Sequence, residues 1–431
     1  MEDYRISKIF PEILCLIIAI GSIFLHDQLI LVISLAIVCL QFKRLDYNSN
    51  LFLMLTFLST FVSTIFYCWN IQHIGGIMHV IAFALFYSGY KTGKTRLYHF
   101  RNSGLQMTIL LLLFSISFAI TTGGDFAATK LSNTCYIGFI NLLGFQVLFS
   151  NFNSCSRLLG LYYIIYAFLL IGVGIQVNGI DGPSNLLDFG FFRYQTISMF
   201  GTDEDGDFHI DYQFIGYYYL MGIAIIMAMG SIYKNLKKNL LFVLAVGGII
   251  CVLYTGARQT IVAMLVLVCI YLLLEYKSKS LIYFALLTYF IMYIFQTNEG
   301  FFELFASTAE EGYVEGGGRG PWLLRGIALF IENPLIGVGF GRFSFLGRYD
   351  YPHNLFIELL SEVGLVGTIV VLFISFAHVS AYKQTWKYSI YILAVFFLRS
   401  MASGDMRTSI TVFAILFSSP ALNYIQTQIK E

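Results

Sequence analysis

Leu105-Gln-Met-Thr-Ile-Leu-Leu-Leu-Leu-Phe-Ser-Ile-Ser-Phe-Ala-Ile-Thr121 runs for 17 residues without a charged side chain. A helix needs roughly 20 apolar residues to cross a bilayer, somewhat fewer when short or tilted. Read outward from this stretch, comparable runs lie near residues 11–26, 29–42, 51–69, 74–90, 134–150, 157–176, 212–233, 239–254, 259–275, 281–295, 356–376, 387–402 and 409–425. Hydropathy therefore predicts an all-α polytopic membrane protein of about 14 transmembrane helices. Several runs are short, and one or two are candidates for re-entrant segments, which sets the expected range at 12–14.

The composition agrees. Of 431 residues, 58% are hydrophobic and 12% are charged, whereas about a quarter of a typical soluble domain is charged. A formal net charge of +1 gives no reason to expect a nucleic-acid partner. No long polar or Ser/Pro-rich linker interrupts the chain, so residues 1–431 read as a single membrane domain. The run from Ile13 to Leu25 follows Arg5 and Lys8 in the manner of a signal peptide, but no small-residue cleavage site follows it. It reads as a retained first helix. The seven cysteines are scattered and form no CxxC, so neither a disulfide framework nor a zinc site is expected.

Basic residues give the runs a direction. With the N-terminus in the cytoplasm, 17 of the 26 Lys and Arg residues fall on the inner side, as the positive-inside rule requires. Twelve of those 17 are Lys. Eight of the nine on the outer side are Arg, namely Arg193, Arg258, Arg319, Arg325, Arg342, Arg348, Arg399 and Arg407, with Lys130 the ninth. Topology needs positive charge inside but gives no reason for arginine outside. Arginine's planar fork suits phosphate and carboxylate, so an anion-handling outer face is expected; pairing with loop acids is the competing reading. Both termini fall inside, and two long loops fall outside, near residues 177–211 and 296–355. Long loops in a compact domain are usually functional or disordered. The aromatics, prolines and charges of these two suggest order and function.

The second long loop is the densest in signals. Gly316-Gly-Gly-Arg-Gly-Pro-Trp-Leu-Leu-Arg325 leads into an expected helix over 321–332, stopped by Asn333-Pro334. Gly337-x-Gly339-x-Gly341 follows outside any strand–turn–helix context, so it is not a dinucleotide fingerprint. It reads as a flexible or tightly packed turn, with close approach to a ligand as the alternative. Asp350 is an expected N-cap, Pro352 suits a first helical turn, and His353 falls at the start of the re-entering helix. The partial positive charge there disfavours imidazolium and keeps His353 able to accept a proton; a capping or packing role is the alternative. The acids Asp203, Glu204, Asp205 and Asp207 read as a solvated loop face, and Tyr217 to Tyr219 as a membrane-interface mark.

Arg319-x-x-Trp322, Asn333-Pro-Leu-Ile-Gly-Val-Gly339, His353-Asn354 and Glu362-x-Gly364-Leu365 together resemble the O-antigen ligase and polymerase superfamily. Thr255-Gly-Ala-Arg258 resembles that family's Gly/Ser-x-Arg element, and the resemblance covers roughly residues 255–370. It implies a GT-C-like membrane glycosyltransferase of the bacterial inner membrane, acting at the periplasmic face on undecaprenyl-diphosphate-linked oligosaccharides. It implies Arg258 on the donor pyrophosphate, with Arg193, Arg319, Arg325 and Asn354 as further substrate contacts. It implies His353 as general base in a direct, inverting transfer that needs no metal or cofactor. Glu362 is included with the catalytic residues, as a group that orients or packs. Membrane lipid and a chain-length regulator protein are the other expected partners.

Within the superfamily, Pro352-His353-Asn354-Leu355-Phe356 and the two long loops look more like a polymerase than a ligase. A flippase for the same lipid-linked glycan is a reading from another class. It should carry polar groups at mid-helix, whereas these runs are nearly free of charge and the arginines cluster outside.

Overall fold

A backbone inside a bilayer must satisfy its own N–H and C=O groups, so long apolar runs become helices. The computed structural model describes residues 47–53, 74–95, 100–120, 125–150, 181–185, 187–192, 212–232, 238–297, 320–343, 351–382, 385–400 and 406–421, with a few isolated positions elsewhere. Among the described residues there is no strand. The helices are α1 (Tyr47–Leu53), α2 (Ile74–Lys91), α3 (Phe100–Ile120), α4 (Asp125–Ser150), α5 (Tyr212–Ile232), α6 (Lys238–Thr255), α7 (Arg258–Tyr276), α8 (Ser280–Thr297), α9 (Gly320–Glu332), α10 (Leu355–Ala381), α11 (Trp386–Ser400) and α12 (Met406–Phe417). Among the described residues, four apolar stretches are long enough to cross a membrane: Phe100–Ile120, Phe126–Phe149, Arg258–Ile294 and Leu355–Ala381. The last-but-one is divided by the 3-10 turn Lys277–Lys279, where Lys277 adopts φ 48°.

The expected runs at 74–90, 105–121, 134–150 and from 212 onward coincide with helices; those at 11–26, 29–42, 51–69 and 157–176 lie wholly or largely outside the described residues. Two boundaries move. Helix α4 begins at Asp125 instead of near 134, which brings Lys130 into a helix, and α10 continues to Ala381.

The chain forms two units. The first is Met1–Lys94 with Phe152–Leu304, and the second is Thr95–Asn151 with Phe305–Glu431. In the first, α5 packs on α6 and α7. A Cβ at Gly248 would lie 2.6 Å from Ile223, so α5 and α6 meet where α6 has no side chain. In the second, α4 packs on α3 and α12. Its polar side chains reach across: Gln146 Nε2 donates to Ser103 Oγ at 2.9 Å, and Asn141 Nδ2 to Thr411 Oγ1 at 3.3 Å. Such bonds join helices in a medium that offers no water. Aromatic packing fills the space between, with Phe149 edge-on to Tyr388 and Phe114 stacked on Phe340 at 4.6 Å.

Helix α10 determines the local architecture of the second unit. Leu365, Val366, Ile369, Leu372, Phe373 and Phe376 are exposed, while Gly367, Thr368, Val371, Ile374 and His378 are buried. That is one exposed and one buried stripe at helical spacing. The helix is interrupted at Gly364, with φ 67° and ψ −173°. The interruption releases backbone groups, and the segment after α9 takes them up. Leu365 and Val366 N–H donate to the carbonyls of Pro334 and Leu335 at 2.8 and 3.1 Å. Val338 and Gly339 N–H donate to the carbonyls of Ser361 and Glu362 at 2.8 and 2.9 Å. The Ser117 hydroxyl also donates to the Glu362 carbonyl and accepts from Phe340 N–H.

The glycine series 337–341 is thus a packed turn, the first of its two sequence readings. A Cβ at Gly337 would stand 2.5 Å from the Glu362 carbonyl carbon, and one at Gly364 would stand 2.4 Å from that of Leu335. Both residues have positive φ. Gly364→Ala and Gly337→Ala are each expected to destabilise the purified protein by about 3 kcal/mol, from overpacking against backbone plus the left-handed conformation. Gly104→Ala, whose Cβ would meet only the Phe100 ring at 3.5 Å, should leave the melting temperature near wild type. Equal melting temperatures for all three variants would contradict the packed-turn account.

Candidate functional site

In the first unit, the α6–α7 turn presents Arg258. Gly256 adopts φ 61°, which reverses the chain after Thr255. The Thr255 hydroxyl donates to the Val252 carbonyl at 2.7 Å and accepts from Ala257 N–H at 3.4 Å. A Cβ at Gly216 would lie 3.2 Å from Thr255, Ala257 and Thr260, so α5 closes directly on this turn. Arg258 is then the first residue of α7 and is half-buried. The described part of the first long loop, up to Phe192, packs beside it. Gly190 N–H donates to the Leu253 carbonyl at 2.9 Å, and the Phe189 and Phe191 rings lie 5.8 and 5.6 Å from that of Tyr254. Phe192 is fully buried. Arg193 follows it in sequence and lies outside the described residues, as do Arg319 and the acids from Asp203 to Asp207. Tyr217 and Tyr219 are buried inside the unit, not displayed at a membrane interface as expected, because this part of α5 faces α6 and α7.

In the second unit, α9, the turn after it and the start of α10 hold the other candidates. Asn354 is the N-cap of α10, and its Oδ1 accepts from Phe356 and Ile357 N–H at 3.0 and 3.2 Å. This replaces the expected cap at Asp350, which lies outside the described residues. Two N–H donors of the first turn are thereby satisfied, the usual role of an Asn at this position. Pro352 precedes the cap and is buried, so it does not enter the first turn. It packs against α9, where a Cβ at Gly326 would meet Pro352 at 3.3 Å and Ile357 at 2.5 Å.

His353 lies between Pro352 and the cap with φ 53°, a left-handed conformation uncommon for a residue with a Cβ. Its ring centroid is 4.2 Å from that of Tyr351, and its Nδ1 is buried. Arg325 is half-buried on α9, its guanidinium 5.4 Å from the Phe343 ring and 6.0 Å from the Trp322 ring. Aromatic faces hold an arginine in this way without neutralising it.

Glu362 is not exposed to an incoming substrate. It is 2% exposed, and both its oxygens lie 2.8 Å from Lys130 Nζ. The same ammonium lies 2.5 Å from Glu358 Oε1. Glu358 in turn accepts from Met406 N–H at 3.2 Å through both oxygens. Lys130 and Glu358 carry no motif in the sequence, and all three charges lie toward the starts of their helices, Lys130 sixth in α4 and Glu358 and Glu362 fourth and eighth in α10. The readable signal was the i, i+4 spacing of Glu358 and Glu362, which puts both carboxylates on one helix face.

Among the described residues, no group of three or more His, Cys, Asp or Glu side chains could hold a metal ion. The geometry thus provides a half-buried arginine at a helix start in one unit. In the other it provides a conformationally constrained histidine at a helix cap, an aromatic-held arginine and a buried charge cluster. Residues 240–372 match a family model described as O-antigen ligase, from α6 through Arg258 and His353 to just beyond the Gly364 break. No curated protein sequence matches the chain. The matched segment covers about a third of a helical chain whose described residues include four candidate membrane spans, and over that segment the chain is similar to the O-antigen ligase family, in agreement with the resemblance read from the sequence.

Proposed function

We propose that this protein is an O-antigen polymerase of the bacterial inner membrane, transferring a glycan from undecaprenyl diphosphate to the end of another lipid-linked repeat unit at the periplasmic face. The observation that carries this reading is His353: a histidine at positive φ, directly before a capped helix, inside the segment matching the family. A left-handed non-glycine residue costs on the order of 1–3 kcal/mol and persists where the surroundings enforce it, often at functional sites.

In the proposed reaction the acceptor sugar hydroxyl gives its proton to His353 as its oxygen attacks the anomeric carbon of the donor. The new glycosidic bond forms as the bond to the diphosphate oxygen breaks, with inversion. The leaving undecaprenyl diphosphate keeps the electron pair. Because Nδ1 is buried, the accepting nitrogen is assigned to Nε2 in the neutral tautomer. The role of Arg258 is to hold the pyrophosphate and stabilise the charge that develops on it, a large effect where water is excluded. Arg193, Arg319 and Arg325 are further contacts for phosphate or glycan, and Asn354 fixes the helix start that carries the base. Glu362 is assigned an orienting role, in keeping with its pairing to Lys130. No metal or cofactor takes part in these steps. A chain-length regulator is proposed as a partner.

Ligation of the finished chain to lipid A–core is the second reading, favoured by the description of the matching family. Deletion in the native host separates the two. Single repeat units should still reach the lipid core if the protein is a polymerase, and none should if it is a ligase; an unchanged glycolipid profile would remove both.

His353→Ala and His353→Gly are both expected to abolish glycan chain assembly, measured as the glycolipid ladder. Glycine relieves the positive φ, so His353→Gly should melt at or slightly above the wild-type temperature. A normal ladder from either variant would rule out the base. Arg258→Lys keeps the charge but loses the two-pronged fork, and transfer is expected to fall by at least about tenfold, on the order of 1.4 kcal/mol in the barrier. Full activity with lysine would show that charge alone is sufficient.

A further inference from the structure

The proposed reaction leaves the buried cation Lys130 without a part. We propose that Lys130 is a positioning residue: by clamping Glu358 and Glu362 together it fixes the height and rotation of the α10 turn that presents His353. The inference rests on the reading of His353 as the base.

Lysine carries three N–H donors and no acceptor. Its contacts with Glu358 Oε1 at 2.5 Å and with both Glu362 oxygens at 2.8 Å can use all three. Each carboxylate has a further anchor. Glu358 accepts from Met406 N–H, the first residue of α12, whose helix N-terminus favours negative charge. Glu362 Oε1 accepts from Phe343 N–H at 3.4 Å, and the Phe340 ring lies 4.9 Å from the ammonium. One cation therefore ties together α4, α10, the start of α12 and the turn after α9.

The clamp bears on the candidate base through one helical turn. Glu358 N–H donates to the carbonyl of Asn354 at 2.9 Å, and His353 is the next residue toward the N-terminus. Each residue of an α-helix advances 1.5 Å and rotates about 100°. A small slip of α10 at Glu358 is thus carried directly to the cap. Without Lys130, two carboxylates four residues apart on one face would be buried together. Like charges at that spacing repel, and buried carboxylates without a cation take up protons or move apart; either way the tie that holds the first turn of α10 to α4 is lost. A base displaced by about 1 Å can lose about 100-fold in rate while remote substrate contacts persist.

The test uses the full chain, purified into lipid nanodiscs with a lipid-linked oligosaccharide as both donor and acceptor. Lys130→Met is expected to lower kcat by about 100-fold with KM for the donor little changed, and Lys130→Arg to recover part of the loss. Where Lys130→Met alone does not fold, the triple variant Lys130→Met/Glu358→Gln/Glu362→Gln carries the test, since it buries no charge. Its kcat should remain at least about tenfold low at a melting temperature near wild type. A wild-type kcat in either variant, or a loss confined to KM, would overturn the positioning role. Failure of the underlying reading looks different: His353→Gly would then transfer glycan as wild type does. If only the clamp is wrong, His353→Gly is inactive while Lys130→Met is fully active.

Discussion

Hydrogen bonding of backbone groups at the Gly364 break is the constraint on which the second unit depends. A helix interrupted in an apolar setting leaves carbonyls and N–H groups that water cannot satisfy, and each would cost several kcal/mol if left unpaired. Segment 334–339 supplies the partners in strand-like fashion, two donors to the carbonyls before the break and two acceptors for the N–H groups after it. This exchange explains why Asn333-Pro334 ends α9 where it does and why Gly337 and Gly364 lack side chains: their backbones approach each other to about the distance at which a Cβ would collide. The motif read as a Gly-rich loop and the motif read as part of a helix are two halves of one structure.

The charge cluster makes sense on that frame. Glu362 contributes its carbonyl to the break and its carboxylate to Lys130. A buried ion pair is not in itself strong evidence of stability, because desolvation offsets much of the attraction, but removing one partner from such a pair typically costs about 3–5 kcal/mol. The arrangement therefore works as a registration device: it penalises every placement of α10 except the one that meets Lys130, Met406 N–H and Phe343 N–H together.

Much of this was legible in the sequence. Apolar runs such as Leu105–Thr121 marked helices because only a helix satisfies its backbone over that length. The stop at Asn333-Pro334 followed from proline chemistry. What the sequence hid was pairing across long separations. Charge counting places Lys130 on the outer side, ahead of the apolar part of α4 that starts near residue 134, and gives no sign that the helix itself begins at Asp125. Nothing in the local sequence of Lys130 tells that it meets Glu358 and Glu362, more than 220 residues away. The cap was misplaced by the opposite weakness: Asp350 and Asn354 are both good caps, and the choice depended on Pro352 packing against Gly326, a tertiary contact. Tyr217 and Tyr219 read as interfacial by residue type, yet burial against neighbouring helices decided their place.

The conformation of His353 joins these local observations into one argument. A left-handed histidine is not maintained by its own residues; something on each side must hold it. On the C-terminal side the Asn354 cap, worth about 1 kcal/mol, fixes the first turn of α10, and the Lys130 cluster holds that turn from below. On the N-terminal side Pro352 has a fixed φ and is pressed against α9 at Gly326. Between two such anchors the chain must cover a set distance in one residue, and the left-handed conformation is what remains. If packing alone were the purpose, glycine would occupy the position without strain. An imidazole stands there instead, between two anchored segments, and its fixed placement is what the proposed role as base would use.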